Sequence, residues 1–437
     1  MKRFWLILLS LGLLTVFSTA AFALDVKFSG DFFVAGMYLN KTNLTKDISP
    51  NTAFYYQRLR ARTDFIVVSG LTLVTRIDAM ERVWGATRST ATTLAVDSAG
   101  TTAENENIAF DWAYINYKSP IGTFDVGIMN DGSTGTIFGN SLAPAARIKY
   151  SYPIGAFSLN AAYTMVKEGS YTANNTTAAA ADADNDKYGL EAVYKWKDGL
   201  AGLNVNYYRY ANTRPTANNK RTYYLFTPYA VAKIGPVALQ TEVNYATGKY
   251  TENDSGTGDV KLENISGWID ATASFGSVYF GGTVAYVSGD DPNTSDKKEG
   301  GTLTGGRDWS PTLIMWNYDR SMWIGELASS ATTGYGFGTS GMANAFLYQG
   351  RVGVRPIEKL DIMASITYAN ADKKPANYVS DKYGYEFDIT VTYKITNNLA
   401  YMLGVGYLST GDYFKGTSAS NTVQDDYTVI NKLMLTF

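Results

Sequence analysis

Along much of the chain, apolar and polar residues alternate with a period of two, the pattern of a β-strand with one apolar face. The clearest segment is 382–395, and segments 359–369 and 346–355 repeat it. In 382–395 one face holds Tyr383, Tyr385, Phe387, Ile389, Val391, Tyr393 and Ile395, and the other holds Lys382, Glu386, Asp388, Thr390, Thr392 and Lys394. Long strands with charges on one face are typical of a membrane barrel with a wet interior. The pattern therefore predicts an all-β fold, a transmembrane antiparallel up-and-down β-barrel.

The connections between these segments are alternately short and long. Eight short ones lie at 69–70, 119–122, 153–155, 197–202, 234–236, 275–277, 356–359 and 396–398. Nine longer polar stretches lie near 40–52, 86–105, 131–143, 168–186, 212–220, 250–260, 290–342, 372–381 and 412–424. This arrangement predicts about eighteen strands. Sixteen is the alternative, because 144–152 and 221–234 alternate poorly. A barrel of this size leaves an open aqueous channel.

The first residues read as an export signal. Lys2 and Arg3 precede an apolar run over 4–16, and Ala21-Phe22-Ala23 is a small-x-small cleavage site. The run is too short to span a bilayer comfortably, and no later stretch of about 18 apolar residues follows it. We therefore expect a signal peptide at 1–23 and a barrel at 24–437, with one long loop at 290–342.

Composition narrows the classes of function. Aromatic residues make up 14% of the chain and charged residues only 18%, as suits a barrel with aromatic girdles at the lipid interfaces. There is no cysteine, which excludes a disulfide framework, and no histidine, which removes His-dependent catalysis and the usual transition-metal ligands. Without Lys2 and Arg3, 36 basic residues face 40 acidic ones, a net charge of −4 that suggests no nucleic-acid partner.

The end of the chain carries a family resemblance. In 427–437 one face holds Tyr427, Val429, Leu433, Leu435 and the terminal Phe437. With the signal segment and the strand pattern, this resembles the Gram-negative outer-membrane porins of 16 to 18 strands, whose last strand commonly ends in an aromatic residue. The resemblance implies insertion in outer-membrane lipid, short periplasmic turns, long extracellular loops and a homotrimer. It also implies passive passage of small hydrophilic solutes or ions.

Charged residues at 56–82 suggest a pore wall. Arg58, Arg60, Arg62 and Asp64 share one face of the first segment, and Arg76, Asp78 and Arg82 share one face of the next. Arginine on the lipid face costs about 2–4 kcal/mol at the bilayer midplane, so these faces should line the lumen. A three-residue connection at 69–71 would pair Arg62 with Asp78 and Asp64 with Arg76. Arg58, Arg60 and Arg82 would remain as surplus.

We interpret this surplus as a basic ladder that favours anions. The alternative is a salt-bridge network that stiffens the wall and selects nothing. Four further residues are expected to line the pore: Arg351, Arg355, Glu386 and Asp388.

Two loops are candidates for a constriction. By the porin resemblance, the third long loop, 131–143, folds inward, with Asp131 and Phe138 as candidates. The alternative is an ordinary surface loop. Its only acidic residue is Asp131, which argues against a strong transverse field. The loop 290–342 carries Trp309, Trp316 and Trp323 among other apolar residues, too much apolar surface to face water. We favour the lumen for it over a neighbouring subunit or the outer leaflet.

Other candidate sites are weaker. Asp290, Asp291 and Asp296 could hold Ca²⁺, but they do not have the spacing of an EF-hand loop, and a solvated acidic turn is preferred. No cofactor is predicted. Aromatic residues near strand ends, such as Tyr207, Tyr208 and Tyr210, are expected in the interface girdle rather than in a sugar-stacking path.

The functional prediction is a passive diffusion channel and not an enzyme. A substrate-specific channel for sugars or organic anions is one alternative, and a plugged structural or adhesion barrel is another. Outer-membrane phospholipases and omptin-type proteases use an active-site histidine, which this chain lacks. A TonB-dependent transporter needs an N-terminal plug domain, whereas the strand pattern here starts at Asp25.

Overall fold

The computed structural model describes residues 25–85, 108–131, 135–139, 143–169, 183–214, 216–303, 305–332, 337–338 and 341–437. The expected signal peptide, 1–23, and the whole of the predicted loop 86–105 lie outside the described residues. Within the described part, eighteen long antiparallel strands form one barrel, which β1 and β18 close by pairing with each other. The eighteen-strand prediction is confirmed.

The first nine strands are β1 (Asp25–Leu39), β2 (Thr52–Val68), β3 (Leu71–Val83), β4 (Ile108–Ser119), β5 (Gly122–Asn130), β6 (Pro144–Ile154), β7 (Phe157–Lys167), β8 (Asn185–Trp196) and β9 (Gly199–Tyr210). The other nine are β10 (Asn219–Ile234), β11 (Val237–Asn253), β12 (Val260–Phe275), β13 (Val278–Val287), β14 (Ala345–Ile357), β15 (Leu360–Asn370), β16 (Lys382–Lys394), β17 (Leu399–Thr410) and β18 (Asp426–Thr436).

Short turns and long loops alternate around the barrel, so that one rim is the turn end and the other the loop end. Two of the loops matter below: L3 (131–143) and L7 (288–344). The described residues of L7 include four strands of two or three residues, at 297–298, 302–303, 337–338 and 341–343, and one helix, α1 (Tyr318–Ile324). A 3₁₀ helix, Asp412–Lys415, lies in the last loop. None of the helices in the described residues is long and apolar enough to cross a membrane.

The outer surface carries the aromatic girdle expected at a lipid interface. Tyr163, Tyr188, Tyr207 and Tyr224 stand side by side on β7 to β10, as direct cross-strand neighbours near the loop end. Their ring centroids lie 5.3, 6.3 and 5.0 Å apart in that order. A second row at the same rim joins Tyr286, Phe346, Tyr348, Tyr368 and Tyr385.

The predicted faces hold along β16 except at its loop end. Phe387 and Ile389 are exposed on the outside, whereas Glu386 and Asp388 are buried inside. Tyr383, predicted to face outward, is also buried inside. Ala369 pairs with Gly384 and the next residue of β15 pairs with Lys382, so Tyr383 occupies a β-bulge. Gly384 supports the bulge with a φ of +131°, a conformation that favours glycine.

The predicted register between β2 and β3 is wrong. Arg62 lies opposite Arg76, and Arg60 lies opposite Asp78. The connection has two residues, Ser69 and Gly70, instead of three. A bulge at Val67 then shifts the ladder by one residue. The resulting register places Arg62 opposite another arginine, which the pairing of opposite charges alone would disfavour.

The main apolar cluster lies inside the barrel, between L7 and the wall. Its largest members are Phe138, Trp268, Trp309, Ile314, Met315, Trp316, Tyr383, Tyr413 and Phe414. The lumen is therefore partly filled with protein at the level of L7, and the remaining space is shaped by loops.

The seam between β1 and β18 depends on Gly30. A Cβ atom at this position would overlap the carbonyl oxygen of Arg60 and lie 2.8 Å from the ring of Phe437. We predict that Gly30→Val destabilises the closed barrel by about 1–3 kcal/mol through overpacking. The urea midpoint of the folded form on unheated gels measures this. Gly350→Val is the matched control, because a Cβ there meets no atom within 4 Å. Equal midpoints for the two variants would contradict the prediction.

Candidate functional site

The arginines of β2 and β3 line the lumen, where the structure pairs four of them with carboxylates. Arg58 contacts Asp31 at 3.1 Å, and Arg62 contacts Asp64 at 2.8 Å. Arg60 contacts Asp78 at 2.6 Å. The expected surplus is therefore wrong for Arg58 and Arg60; Arg82 is buried in the same wall. Sequence reasoning considered only the carboxylates of 55–83 and so missed Asp31.

A second missed carboxylate, Asp111 on β4, lies 2.8 Å from Arg76 and 3.4 Å from Arg60. Arg76 pairs with Trp112 across the ladder while Ile77 pairs with Phe110, so Asp111 sits in a β-bulge. The bulge lets both Asp111 and Trp112 reach the arginines. The Arg76 guanidinium carbon lies 3.7 Å from the centre of the Trp112 ring.

The neighbouring arginines Arg62 and Arg76 are thus each held by a different carboxylate. Arg62 has the side chain most accessible among the paired arginines here, at 39%.

The other predicted wall residues also find partners. Arg351 on β14 lies 2.7 Å from Asp270 and donates to Thr283. Arg355, near the turn end, lies 2.7 Å from Asp361. On both parts of the inner wall, each of these arginines is therefore paired with a carboxylate, and the arginines do not form a continuous basic strip.

L7 is fixed in the lumen by Glu386 of β16. The backbone N–H groups of Leu313, Ile314 and Met315 donate to its carboxylate at 2.8, 2.6 and 2.8 Å. Asp388 approaches the same carboxylate from the next inward position. Glu386 is fully buried, so these three donors replace the water that the charge would otherwise require. Glu386 is thus an anchor for L7.

A second anchor joins L7 to β2 and β3. Arg307 forms ion pairs with Glu81 and, at 2.7 Å, with Asp319 at the start of α1. Tyr56 donates to Asp319 at 2.7 Å. Burial alone would raise the pKa of Asp319, but the charges of Arg307 and Lys432 and the hydrogen bonds from Arg307 and Tyr56 lower it below its ordinary value.

The tryptophans of L7 pack against the inner wall. The ring of Trp316 lies 6.4 Å from that of Tyr383, and the ring of Trp323 lies 5.6 Å from that of Tyr56. Trp309 is buried in the apolar cluster. That these residues limit passage of solutes remains a prediction.

The tip of L3 also enters the lumen. The backbone N–H and the hydroxyl of Thr136 donate to Glu242 of β11 at 3.1 and 2.6 Å, and Trp268 of β12 donates to the same hydroxyl. Phe138 stacks on Trp268 with centroids 5.4 Å apart and meets Trp309 of L7 edge-on at 4.9 Å. The two loops therefore touch each other through a three-ring contact.

Asp131 anchors the base of L3. Its carboxylate lies 2.5 Å from Lys187 and 3.3 Å from Arg147, and it accepts a hydrogen bond from Thr164. With two cations beside it, Asp131 adds little negative field across the pore.

An aromatic group missed by the sequence reasoning faces the lumen. Tyr207 points outward into the girdle, as expected, but Tyr208 and Tyr210 point inward. Tyr208 stacks on Tyr223 of β10 with centroids 4.5 Å apart and planes at 7°, and Tyr210 meets Tyr223 edge-on. Adjacent residues of a strand face opposite sides of the sheet, so the sequence alone indicates that Tyr207 and Tyr208 cannot both face the lipid.

The carboxylates of Asp290 and Asp291, two of the three candidate calcium ligands in L7, already have protein partners. Asp290 lies 2.5 Å from Lys298 and accepts from the backbone of Glu299, and Asp291 accepts from Asn293. The backbone carbonyl of Asp296 accepts from Lys261. Among the described residues, no group of three or more Asp, Glu, His or Cys side chains could hold a metal ion.

Comparison with solved structures gives three relevant matches. The structure of a double variant of OccD1 (OprD) aligns with a TM-score of 0.50 and 12% identity over 94% of this chain and 96% of that one. OccK11 (OpdR) and OpdQ of Pseudomonas aeruginosa align with TM-scores of 0.52 and 13% identity. Both cover 94% of this chain, and 96% and 97% of their own. The chain has the outer-membrane porin fold. No family model and no curated protein matches the sequence.

Within this porin fold, the Glu386 anchor is open to a direct test. Glu386→Gln replaces one of two charged acceptors by an amide donor, and hydrogen bonds to charged groups contribute about 1.5–3 kcal/mol. We predict that trypsin cuts L7, after Arg307 or Arg320, at least about tenfold faster in the variant. In the control variant Glu358→Gln, which changes an exposed turn, trypsin should cut L7 at the same rate as in the unchanged protein. Unchanged cleavage of the Glu386 variant would mean that L7 is held by other contacts.

The lowered pKa of Asp319 predicts a pH dependence. A carboxyl with a depressed pKa in the folded state stabilises docking above its ordinary value of about 3.9, and this contribution is lost as the pH falls through the lowered value. Tryptophan emission from the protein should therefore stay constant from pH 8 to 5 and shift to the red only below about pH 4. Asp319→Asn should show the shifted emission throughout. Asp308→Asn, an exposed neighbour in L7, is the control. A red shift already at pH 6 would contradict this assignment.

Proposed function

We propose that the protein is an outer-membrane channel for passive diffusion of small hydrophilic solutes and ions, and not an enzyme. The observation that carries the proposal is the contrast between the two faces of the barrel. The outer face presents apolar side chains and two tyrosine-rich rows, as lipid requires, and the inner face presents ion pairs and amides.

Accessible charge in the lumen supports a wet path rather than a sealed one. The side chains of Arg62 and Asp64 are 39% and 25% accessible although both face inward. Solutes that pass them would exchange hydration water for contacts with fixed charges, as in selective pores. We expect Arg62, the most accessible of the paired arginines on this wall, to give a modest preference for anions.

The proposal includes export and assembly. We expect removal of residues 1–23 by signal cleavage, as the sequence of that segment predicts. We also expect insertion in the outer membrane and association into a homotrimer, as the porin resemblance implies. Mass spectrometry of membrane-extracted protein would test the cleavage after Ala23 and the mass of the oligomer together.

Conductance in a planar bilayer tests the channel. The full chain should give discrete open steps, and a salt gradient should give a reversal potential that indicates more anion than cation passage. We predict that Arg62→Gln removes most of this preference, because it leaves Asp64 without its partner in the accessible wall. Arg355→Gln, a similarly exposed arginine at the turn end, should change the reversal potential less.

A plugged barrel is the second candidate, favoured by the apolar surface that L7 buries in the lumen. Folded protein that inserts and gives no current would support it. Current that appears only after Glu386→Gln would then identify L7 as the plug. Steps of equal size in both proteins would favour the open channel.

A further inference from the structure

A cavity of about 590 Å³ lies inside the barrel at its loop end. It is bounded on one side by β10, β11 and β12 and on the other by L7. The aromatic, polar and charged side chains that could contact a ligand in the cavity include Arg221, Tyr223, Tyr250, Asn264, Asp290 and Glu326. On β12, Asn264 is closer to the loop end than Trp268, the residue that holds the tip of L3. A solute entering from the loop end would therefore meet this cavity before it meets L3.

Two tyrosines give the cavity rigid aromatic surfaces. Tyr223 lines it while one of its faces is stacked on Tyr208 and its edge is met by Tyr210. Tyr250 lies beneath Arg221, whose guanidinium carbon is 3.9 Å from the ring centre. Rings that are fixed in this way lose little freedom when a ligand packs against them. Such surfaces suit the flat C–H face of a sugar or another ring.

The polar groups of the cavity are nearly balanced in charge. Asp290 and Lys298 neutralise each other at 2.5 Å. Arg221 and Glu326 remain, one of each sign, and neither forms an ion pair with a described residue. Asn264 likewise makes no side-chain hydrogen bond to the described part of the chain. A balanced set of donors and acceptors favours a neutral ligand with many hydroxyl groups over a singly charged ion.

We propose that this vestibule binds a neutral mono- or disaccharide. The ring face packs on Tyr223, while hydroxyls accept from Arg221 and Asn264 and donate to Glu326. The volume falls within the range of about 300–1,000 Å³ usual for small-molecule sites. The inference deepens the proposed function, on which it rests: the site would raise the local concentration of sugar at the entrance of the channel.

The test is calorimetric titration of the full chain in detergent with maltose, a neutral disaccharide, and with glucuronate, a sugar acid. We expect maltose to bind and glucuronate to bind more weakly. Tyr223→Ala should weaken maltose binding about tenfold, equal to about 1.4 kcal/mol. Tyr224→Ala, next in sequence but facing lipid, should leave binding unchanged. Glu326→Gln, in L7 and outside the barrel wall, should weaken binding while the barrel folds normally.

Several results would overturn the proposal: no maltose binding, binding that neither Tyr223→Ala nor Glu326→Gln weakens, or tighter binding of glucuronate. Bilayer recordings of the same preparations separate this inference from the proposed function. Open steps without maltose binding would refute the saccharide site and leave the channel standing. Maltose binding without current would support the saccharide site and refute the proposal that solutes diffuse through the barrel.

Discussion

Closure of the hydrogen-bond ladder is the constraint on which the rest of the structure depends. A bilayer offers no partner for backbone N–H and C=O groups, so a sheet that crosses it must leave no edge. Here the last strand returns to the first, and Gly30 and Phe437 exchange backbone hydrogen bonds of 2.8 and 3.0 Å at the seam. Once the sheet is closed, each strand has one side in lipid and one in the lumen. The alternation of apolar and polar residues follows directly from that division.

The polar side chains of the interior also bind the loops that enter the lumen, because the backbone N–H groups of those loops need hydrogen-bond acceptors there. Two wall carboxylates meet this need: Glu386 accepts from the backbone of L7, and Glu242 accepts from the backbone at the tip of L3. A third carboxylate, that of Asp131, fixes the base of L3 through the side chains of Lys187 and Arg147. Much of the negative charge inside the barrel therefore positions protein rather than solute. This explains why few carboxylates remain to set an electric field across the lumen.

Features that depend on neighbouring residues in the chain could be predicted from the sequence. Prediction failed where a β-bulge adds a single residue to a strand. Strand number, turn positions and the lipid-facing rows depend on alternation and on loop length, both of which are readable along the chain. The bulges at Val67, Asp111 and Tyr383 each add one residue to a strand. Each reverses a face or a register, and no residue type announces them. The partners of Arg58, Thr136 and L7 lie on other strands, so they follow only from the closed barrel.

The contacts of L7 also have a mechanical consequence. This one loop is tied to β2 and β3 through Asp319 and Arg307, to β16 through Glu386, and to β12 by way of the ring of Phe138. It thus spans the interior as a strut between separate arcs of a hollow cylinder. A hollow cylinder flattens most easily when its sides are pressed inward, and a strut opposes that deformation. The loop therefore helps to keep the cross-section round against the lateral pressure of the surrounding lipid.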